Sequence, residues 1–460
     1  SNQGGAMAIS TWVAFTGTVE EEIRTGIIDL LERSDIRTCT LSETQGGGLG
    51  LVVFDMVDDC LFSLLQNEHR TTAVLAVSVS GSTLTTQTLW SLIHAGARDV
   101  LEWPSLPKTA EDIACRLHRW SMVEALLDSH QVSSSLVGAS AGWRSVMRGI
   151  VEAAAFTSSS ILITGESGTG KERIARLIHD LDPRRDTGSF VVVDCTTILP
   201  GLSGSEFFGH ERGAFTGATT ARDGAFALAN KGTLFLDEVG ELSPELQAQL
   251  LRVVQEHKFK RVGSNTWETT ELRLISATNR DLEHCVANGG FRADLFYRIA
   301  GWRCRTLPLR DRKEDILPLA QHFISQLLPR LSGVSIESAV HEFLITRDYP
   351  GNVRDLQQLV TRICHCHAGN GPITIGDIPL EDRVAIGTAS AVWPESNFRS
   401  AVRMAVELRI GMKQIAKIAS ELAVEQALEC ENGNLQRAAS RLGVTDRALQ
   451  IRRAGQPAQM

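Results

Sequence analysis

The apolar positions of the first 127 residues fall into short runs at 12–16, 37–41, 51–55, 73–79 and 99–103, bounded by polar or glycine-containing stretches. Runs of that length read as strands. Between them, 20–33 and 85–95 place apolar residues three and four apart, the spacing of amphipathic helices. Five strands alternating with five helices predict a flavodoxin-like, doubly wound sheet over 8–127. A serine-rich stretch at 129–135 lacks periodicity and reads as the linker, 128–136. Beyond it the runs 160–164, 232–236 and 272–277 are continuously apolar, as strands buried on both faces are. Near the far end, 398–430 carries one long helical stripe that includes Met404, Leu408, Met412 and Ile415, suited to helix packing or a dimer contact. The spacing then predicts a helix over 434–442, a turn at Gly443-Val444, and a second helix capped by Thr445 and running to about Arg453.

That last pair is a helix-turn-helix pattern, and charge agrees with it. Residues 431–460 hold five arginines against two acids inside a chain of net charge −8. Arg437, Arg447, Gln450, Arg452 and Arg453 are the candidate DNA contacts, with Thr445 at the helix start. A length of 460 residues suits about three domains, and 43% hydrophobic content is ample for folded cores. No stretch of 18 or more apolar residues suggests a membrane span, and no signal peptide is visible. The nine cysteines have no framework spacing, which fits a reducing cytoplasm. Cys364-His365-Cys366-His367 invites a zinc reading, but consecutive residues on a helix point in different directions. Residues Ser1 to Ala6, ahead of Met7, read as a cloning remnant.

The middle third carries the chemistry. Gly165-Glu166-Ser167-Gly168-Thr169-Gly170-Lys171 follows a buried run and precedes a helical one, the setting of a phosphate-binding loop. Glycines let backbone N–H groups wrap phosphates, the helix N-terminus adds partial positive charge, and Lys171 adds a full one. Glu172 stands where a Ser or Thr magnesium ligand is usual, so that ligand must come from elsewhere. About 70 residues on, the run 232–236 ends in Asp237-Glu238, which places one carboxylate to hold magnesium and another to activate water. Run 272–277 ends in Thr278-Asn279-Arg280, polar side chains placed to meet a γ-phosphate or the attacking water. Arg292 and Arg298 read either as ordinary surface ion-pair partners or as fingers reaching a neighbouring subunit's nucleotide. Arg354 opens a later helix from which a nucleotide can be sensed.

Between the two halves of this ATP site lies Gly213-Ala214-Phe215-Thr216-Gly217-Ala218. It serves no step of hydrolysis. Its glycines permit unusual backbone angles, and its Phe-Thr pair offers one apolar and one hydrogen-bonding contact to a partner.

Together, GESGTGKE, GAFTGA, GTLFLDEVGEL, ATNRDL, FRADLFYR and GNVRDL resemble the AAA+ domain of bacterial enhancer-binding proteins, the ATP-dependent activators of σ54 RNA polymerase, over about 137–380 with a helical subdomain near 310–380. The resemblance implies a homo-oligomeric ring, usually a hexamer, that binds ATP and Mg2+ at subunit interfaces and drives the GAFTGA loop against σ54. It assigns Lys171, Asp237 and Glu238 to nucleotide and magnesium, Asn279 to a first sensor, Arg292 and Arg298 to fingers, and Arg354 to a second sensor. Glu172 is normal in that family. Asp194 departs from it, standing where an asparagine often holds the catalytic glutamate. An aspartate there repels Glu238 or shares a proton with it. Residues 393–460 resemble the family's dimerising, Fis-type DNA-binding domain, and 8–127 resembles a response-regulator receiver, with Asp55 ending the third strand. Thr16-Gly17 and Trp103-Pro104 stand where a receiver keeps its acids and its lysine, so a degenerate receiver, regulated by a protein partner, a small ligand or dimerisation, is expected. Two rival readings are an AAA+ remodeller of another protein, and a DNA-binding repressor with a vestigial ATP site. The intact GAFTGA speaks against the first and the complete set of ATP-site residues against the second.

Overall fold

The computed structural model describes residues 9–41, 48–68, 72–80, 83–103, 108–182, 188–198, 203–329, 334–387, 396–431 and 434–444. Residues 1–377 form one compact unit and 378–460 another.

The first unit opens with strands β1 (Ile9–Thr16), β2 (Ile36–Cys39), β3 (Gly48–Phe54), β4 (Thr72–Ser78) and β5 (Ala97–Glu102). They pair in the order β2-β1-β3-β4-β5, all parallel, as the flavodoxin-like expectation requires. Helices cover both faces, so the central strands are apolar on both sides. Leu51, Val53, Leu75 and Val77 face one layer of helices, and Val52, Phe54, Val74 and Ala76 the other. Gly50 is needed where it stands, because a Cβ there would lie 2.2 Å from the buried Trp12 ring. The order reverses between β1 and β3, which opens a crevice at their carboxyl ends, and Asp55 sits there.

The helix Lys108–Leu127 belongs to two cores at once. Ile113, Leu117 and Trp120 pack in the N-terminal layer, whereas Val123 and Leu127 pack against Trp143, Met147 and Ile150 of the following domain. Arg98 and Arg119 both reach Glu152 at 3.0 Å, and Arg148 reaches Glu124. The 128–136 linker expectation is corrected here. Ser129 caps a short helix, His130–Ser135, by accepting from Val132 N, and Val132 and Leu136 are buried in the second core. Six residues are too few for a period to show.

The second sheet contains β6 (Ile161–Thr164), β7 (Phe190–Asp194), β8 (Thr233–Asp237), β11 (Arg273–Thr278) and β12 (Trp302–Arg305), while β9 (Lys258–Phe259) and β10 (Glu268–Thr269) form a small antiparallel pair. The order β12-β6-β11-β8-β7 is parallel throughout. The phosphate-loop, acidic and sensor segments therefore leave the sheet at one edge. A buried Arg273 at the start of β11 anchors the opposite end, bonded to Asp182 at 2.8 Å and to the carbonyls of Ala153 and Ala154. A helical subdomain follows, with helices Ile316–Leu327, Ser338–Thr346 and Asn352–Cys366. On the last of these Cys364 is buried and Cys366 exposed.

In the second unit, the single helix expected over 398–430 is broken. Helix Ser396–Glu407 ends and Met412–Cys430 begins across a turn at 408–411, where Arg409 takes a φ of +56°. Helix Leu435–Arg441 is capped by Asn434 and packs Ala438 and Ala439 against Ala427. The second helix of the expected helix-turn-helix, with Thr445, Arg447, Gln450, Arg452 and Arg453, lies outside the described residues. Among the described residues no helix is long and apolar enough to cross a membrane.

Candidate functional site

The phosphate loop is held open by backbone angles that side chains resist. Gly165, Gly168 and Gly170 have φ of +154°, +76° and +102°. A Cβ on Gly165 would meet Thr306 Oγ1 at 1.9 Å, and one on Gly168 would meet the carbonyl of Gly351 at 2.1 Å. Thr169 is buried and its hydroxyl bonds the Glu166 carbonyl at 2.9 Å and Thr306 Oγ1 at 2.8 Å. Helix Lys171–Leu181 starts directly at the loop, so its first amides point into the cavity. Glu172 lines the cavity but turns its carboxylate to Arg176 at 3.2 Å.

Lys171 is buried, and its ammonium group donates to the carbonyls of Gly165 and Glu166 and lies 3.4 Å from Glu238 Oε1. Glu238 has left-handed backbone, φ +50°, an unusual cost for a side-chain-bearing residue. That angle turns its carboxylate across the strand ends, where Oε2 accepts from Asn279 N at 3.0 Å. Burial, then the charge of Glu238, raises Asp237 above the ordinary carboxylate range, although Lys171 pulls the other way. A cation beside Asp237 relieves both effects. No group of three or more His, Cys, Asp or Glu side chains converges among the described residues, so any ion here takes most of its oxygens from water and phosphate, the habit of Mg2+. Asp194 stands opposite Asp237 in the sheet, but its Oδ1 is taken by Thr196 N and Oγ1 at 2.9 and 2.7 Å, and no contact with Glu238 forms among the described residues. Its charge instead joins those of Asp237 and Glu238, behind the larger effect of burial, in pushing the Cys195 thiol up to about 12.

Of these groups Lys171, Glu172, Asp237 and Glu238 line a cavity of about 310 Å³, whereas Asp194, Cys195 and Asn279 do not. Ser167, Thr169, Lys171, Asp237, Glu238 and Arg354 form its polar end, and Leu136, Val137, Leu319 and Phe323 supply apolar walls. Three residues that sequence reasoning missed stitch it together. Arg310 grips Glu166 with two bonds of 2.9 and 2.6 Å. Asn352, fully buried at φ +53°, donates to Glu166 Oε2 and Ser167 O and accepts from Leu309 N. Arg312 lies 3.9 Å over the Trp143 ring and donates to Thr169 O, and burial lowers it to about 10. Arg354 reaches Ser167 Oγ at 3.4 Å while its amide donates to Gly168 O.

Arg292 and Arg298 do not line this cavity. Arg292 pairs with Asp294 at 2.8 Å and Arg298 points to the Val254 carbonyl at 3.5 Å. The Gly213–Ala218 loop also lies apart from it. Phe215 and Thr216 are exposed, Gly213 and Gly217 have positive φ, and Gly213 N closes the loop on Ala218 O at 2.8 Å. Arg437 sits in the first turn of its helix, where its amide donates to Asn434 Oδ1.

In the N-terminal crevice, the backbone of Gly17 and Thr18 closes on Asp55. Thr18 N and Oγ1 both donate to Asp55 Oδ2, at 3.0 and 2.7 Å, and the hydroxyl bond is the main cause holding the carboxyl below its ordinary range. A Cβ on Gly17 would lie 1.8 Å from Asp55 Oδ1.

A five-stranded parallel sheet with a glycine loop at a helix start, paired acids on a neighbouring strand and a helical lid touching the loop defines an AAA+ P-loop ATPase. Residues 136–304 match the Sigma-54 interaction domain and 310–389 the AAA+ ATPase lid domain. The chain belongs to the sigma-54-dependent transcriptional activator family. It is 41% identical over 302 residues to the regulatory protein AtoC of Escherichia coli, covering 64% of this chain and 62% of that protein. It is 35% identical over 390 residues to the Nif-specific regulatory protein of Bradyrhizobium diazoefficiens, covering 84% and 64%. It therefore spans less than two thirds of the length of either relative. A crystal structure of NtrX from Brucella abortus in complex with ATP aligns over 97% of this chain and 99% of that one, at 26% identity and a TM-score of 0.49.

Proposed function

We propose that this protein is a cytoplasmic bacterial activator that binds DNA upstream of promoters and spends ATP to remodel the σ54 RNA polymerase holoenzyme. The observation that carries this reading is the exposed Gly213–Ala218 loop, which stands apart from the cavity of a complete ATPase core. Lys171 and the amides of the Gly165–Lys171 loop bind the β- and γ-phosphates. Asp237 would hold a magnesium ion, whose chemistry there would be neutralisation of phosphate charge. Glu238, freed from Lys171 when phosphate takes the ammonium group, positions the attacking water and takes its proton, and Asn279 fixes the Glu238 carboxylate. Arg354 reports phosphate occupancy from the lid. Arg292 and Arg298 act on a neighbour's nucleotide, which requires a homo-oligomeric ring. Arg437, Arg447, Gln450, Arg452 and Arg453, with Thr445, form the DNA contact. The N-terminal domain responds to a partner protein or ligand rather than to phosphorylation, a reading supported by Thr18 N and Oγ1 holding Oδ2 of the Asp55 carboxylate and by the absence of a receiver's acids and lysine at Thr16-Gly17 and Trp103-Pro104.

The experiment is capture of σ54 by the full chain with ADP and aluminium fluoride. Retention that depends on the fluoride complex and is lost in Lys171→Ala supports the reading. Robust ATP hydrolysis without σ54 retention in any nucleotide state contradicts it.

A further inference from the structure

His210 sits at the root of the Gly213–Ala218 loop and no step of ATP hydrolysis uses it. Its backbone is fixed on two sides. His210 N and O exchange 3.0 Å bonds with Arg222, and the flanking Gly209 O and Glu211 N pair with Val262 at 2.9 and 3.0 Å. Its ring is buried, with Nδ1 2.7 Å from the buried hydroxyl of Ser205 on the helix Ser203–Phe208. The ring also meets Phe215 edge-on, with centroids 5.0 Å apart. Beyond this root Gly213, Phe215, Thr216 and Gly217 are exposed, while Ala218 is buried. The loop's backbone bonds are local, Gly213 N to Ala218 O and Ala218 N to Phe215 O within it and Ala214 N to Glu211 O at its root, and added Cβ atoms at Gly213 and Gly217 would meet nothing within 4 Å, although one on Gly263 would lie 2.8 Å from Ala214 Cβ. Phe215 is 38% exposed, so the aromatic contact holds it by one edge. The helix bearing Ser205 comes next after the strand that ends at Asp194, and that strand end is tied to the acidic edge by Cys195 N donating to Asp237 O at 3.0 Å.

We propose that Ser205 and His210 form a latch that holds Phe215 against the domain, and that release of this contact turns the loop toward σ54. His210 is a positioning residue that acts through Phe215. The inference rests on the reading of the loop as the σ54-contacting element.

The test is amide hydrogen exchange over residues 211–219 in the full chain, without nucleotide and with ADP and aluminium fluoride. Wild type is expected to exchange slowly without nucleotide, and His210→Ala about tenfold faster, near the rate both reach in the fluoride complex. ATP hydrolysis is expected to stay within about twofold of wild type. Ser205→Ala removes only the hydroxyl and is expected to fall between the two. Unchanged loop exchange in His210→Ala overturns the latch. Should that variant fail to fold, unchanged exchange in both Ser205→Ala and Phe215→Leu overturns it equally. No polymerase is present in the measurement. Faster exchange in a protein that never retains σ54 therefore counts against the σ54 assignment and leaves the latch standing.

Discussion

Asp237 shows how one environment serves both stability and chemistry. Burial and the neighbouring Glu238 raise its carboxyl above its ordinary value, so protonation of this group favours the fold. That contribution is full below the ordinary value and is lost as pH rises through the raised one, which leaves a destabilising charge at neutral pH. Asp237→Asn is therefore expected to raise the nucleotide-free thermal midpoint at pH 7 by about 2 °C, read by calorimetry, while abolishing ATP hydrolysis. A lowered midpoint would mean that the charge is already compensated by Lys171. The loop glycines, Lys171, Asp237 and Glu238 were legible in the sequence because their chemistry is written in local spacing beside strand patterns. Arg310, Arg312 and Asn352 were not, because each acquires its role by meeting the phosphate loop across more than 140 positions of chain. For Asn352 the signal lay in the Gly351-Asn352 pair, since Asn tolerates left-handed backbone better than most residues.

At the scale of elements, the lid is joined to the phosphate loop by a buried amide side chain rather than by packing alone. Asn352 accepts from the Leu309 amide and donates to the Glu166 carboxylate and the Ser167 carbonyl while holding a φ of +53°. Asn352→Ala leaves Leu309 N unpaired in the interior, removes the bond to the part-buried Ser167 carbonyl and keeps the backbone strain. It is expected to cost about 2–3 kcal/mol, measured by urea unfolding, and to weaken nucleotide binding in parallel. A loss under 0.5 kcal/mol would show that water replaces the amide there. Strand positions in both sheets followed from apolar runs, since a parallel strand buried on two faces leaves no other pattern. The short helix His130–Ser135 did not, because its stability comes from the Ser129 cap and from burying Val132, neither of which has a period. The break at 408–411 escaped for the opposite reason. The apolar stripe continues in sequence across Arg409 and Gly411, and only the backbone reversal interrupts it.

At the scale of the molecule, the N-terminal and ATPase domains share a helix and are not beads on a string. Val123 and Leu127 of Lys108–Leu127 are buried in the ATPase core, and Ser135, Leu136 and Val137, a few residues on, line the nucleotide cavity. A fragment starting at 128 removes both apolar side chains, each worth about 1.5–3 kcal/mol when fully buried. It is expected to melt several degrees below a fragment starting at 108, and equal midpoints would separate the two cores. This continuity gives the N-terminal domain a solid path to the ATP site whatever signal it receives.

The central claim is that hydrolysis in the core is delivered through the Gly213–Ala218 loop to σ54 polymerase. The most direct measurement is open-complex formation by σ54 polymerase with the purified full chain and ATP, comparing wild type with Thr216→Ala and recording hydrolysis in parallel. The account predicts that Thr216→Ala hydrolyses ATP within about threefold of wild type and forms no open complexes. Open complexes at wild-type levels from Thr216→Ala, or steady hydrolysis by a wild-type protein that never opens a promoter, would contradict it.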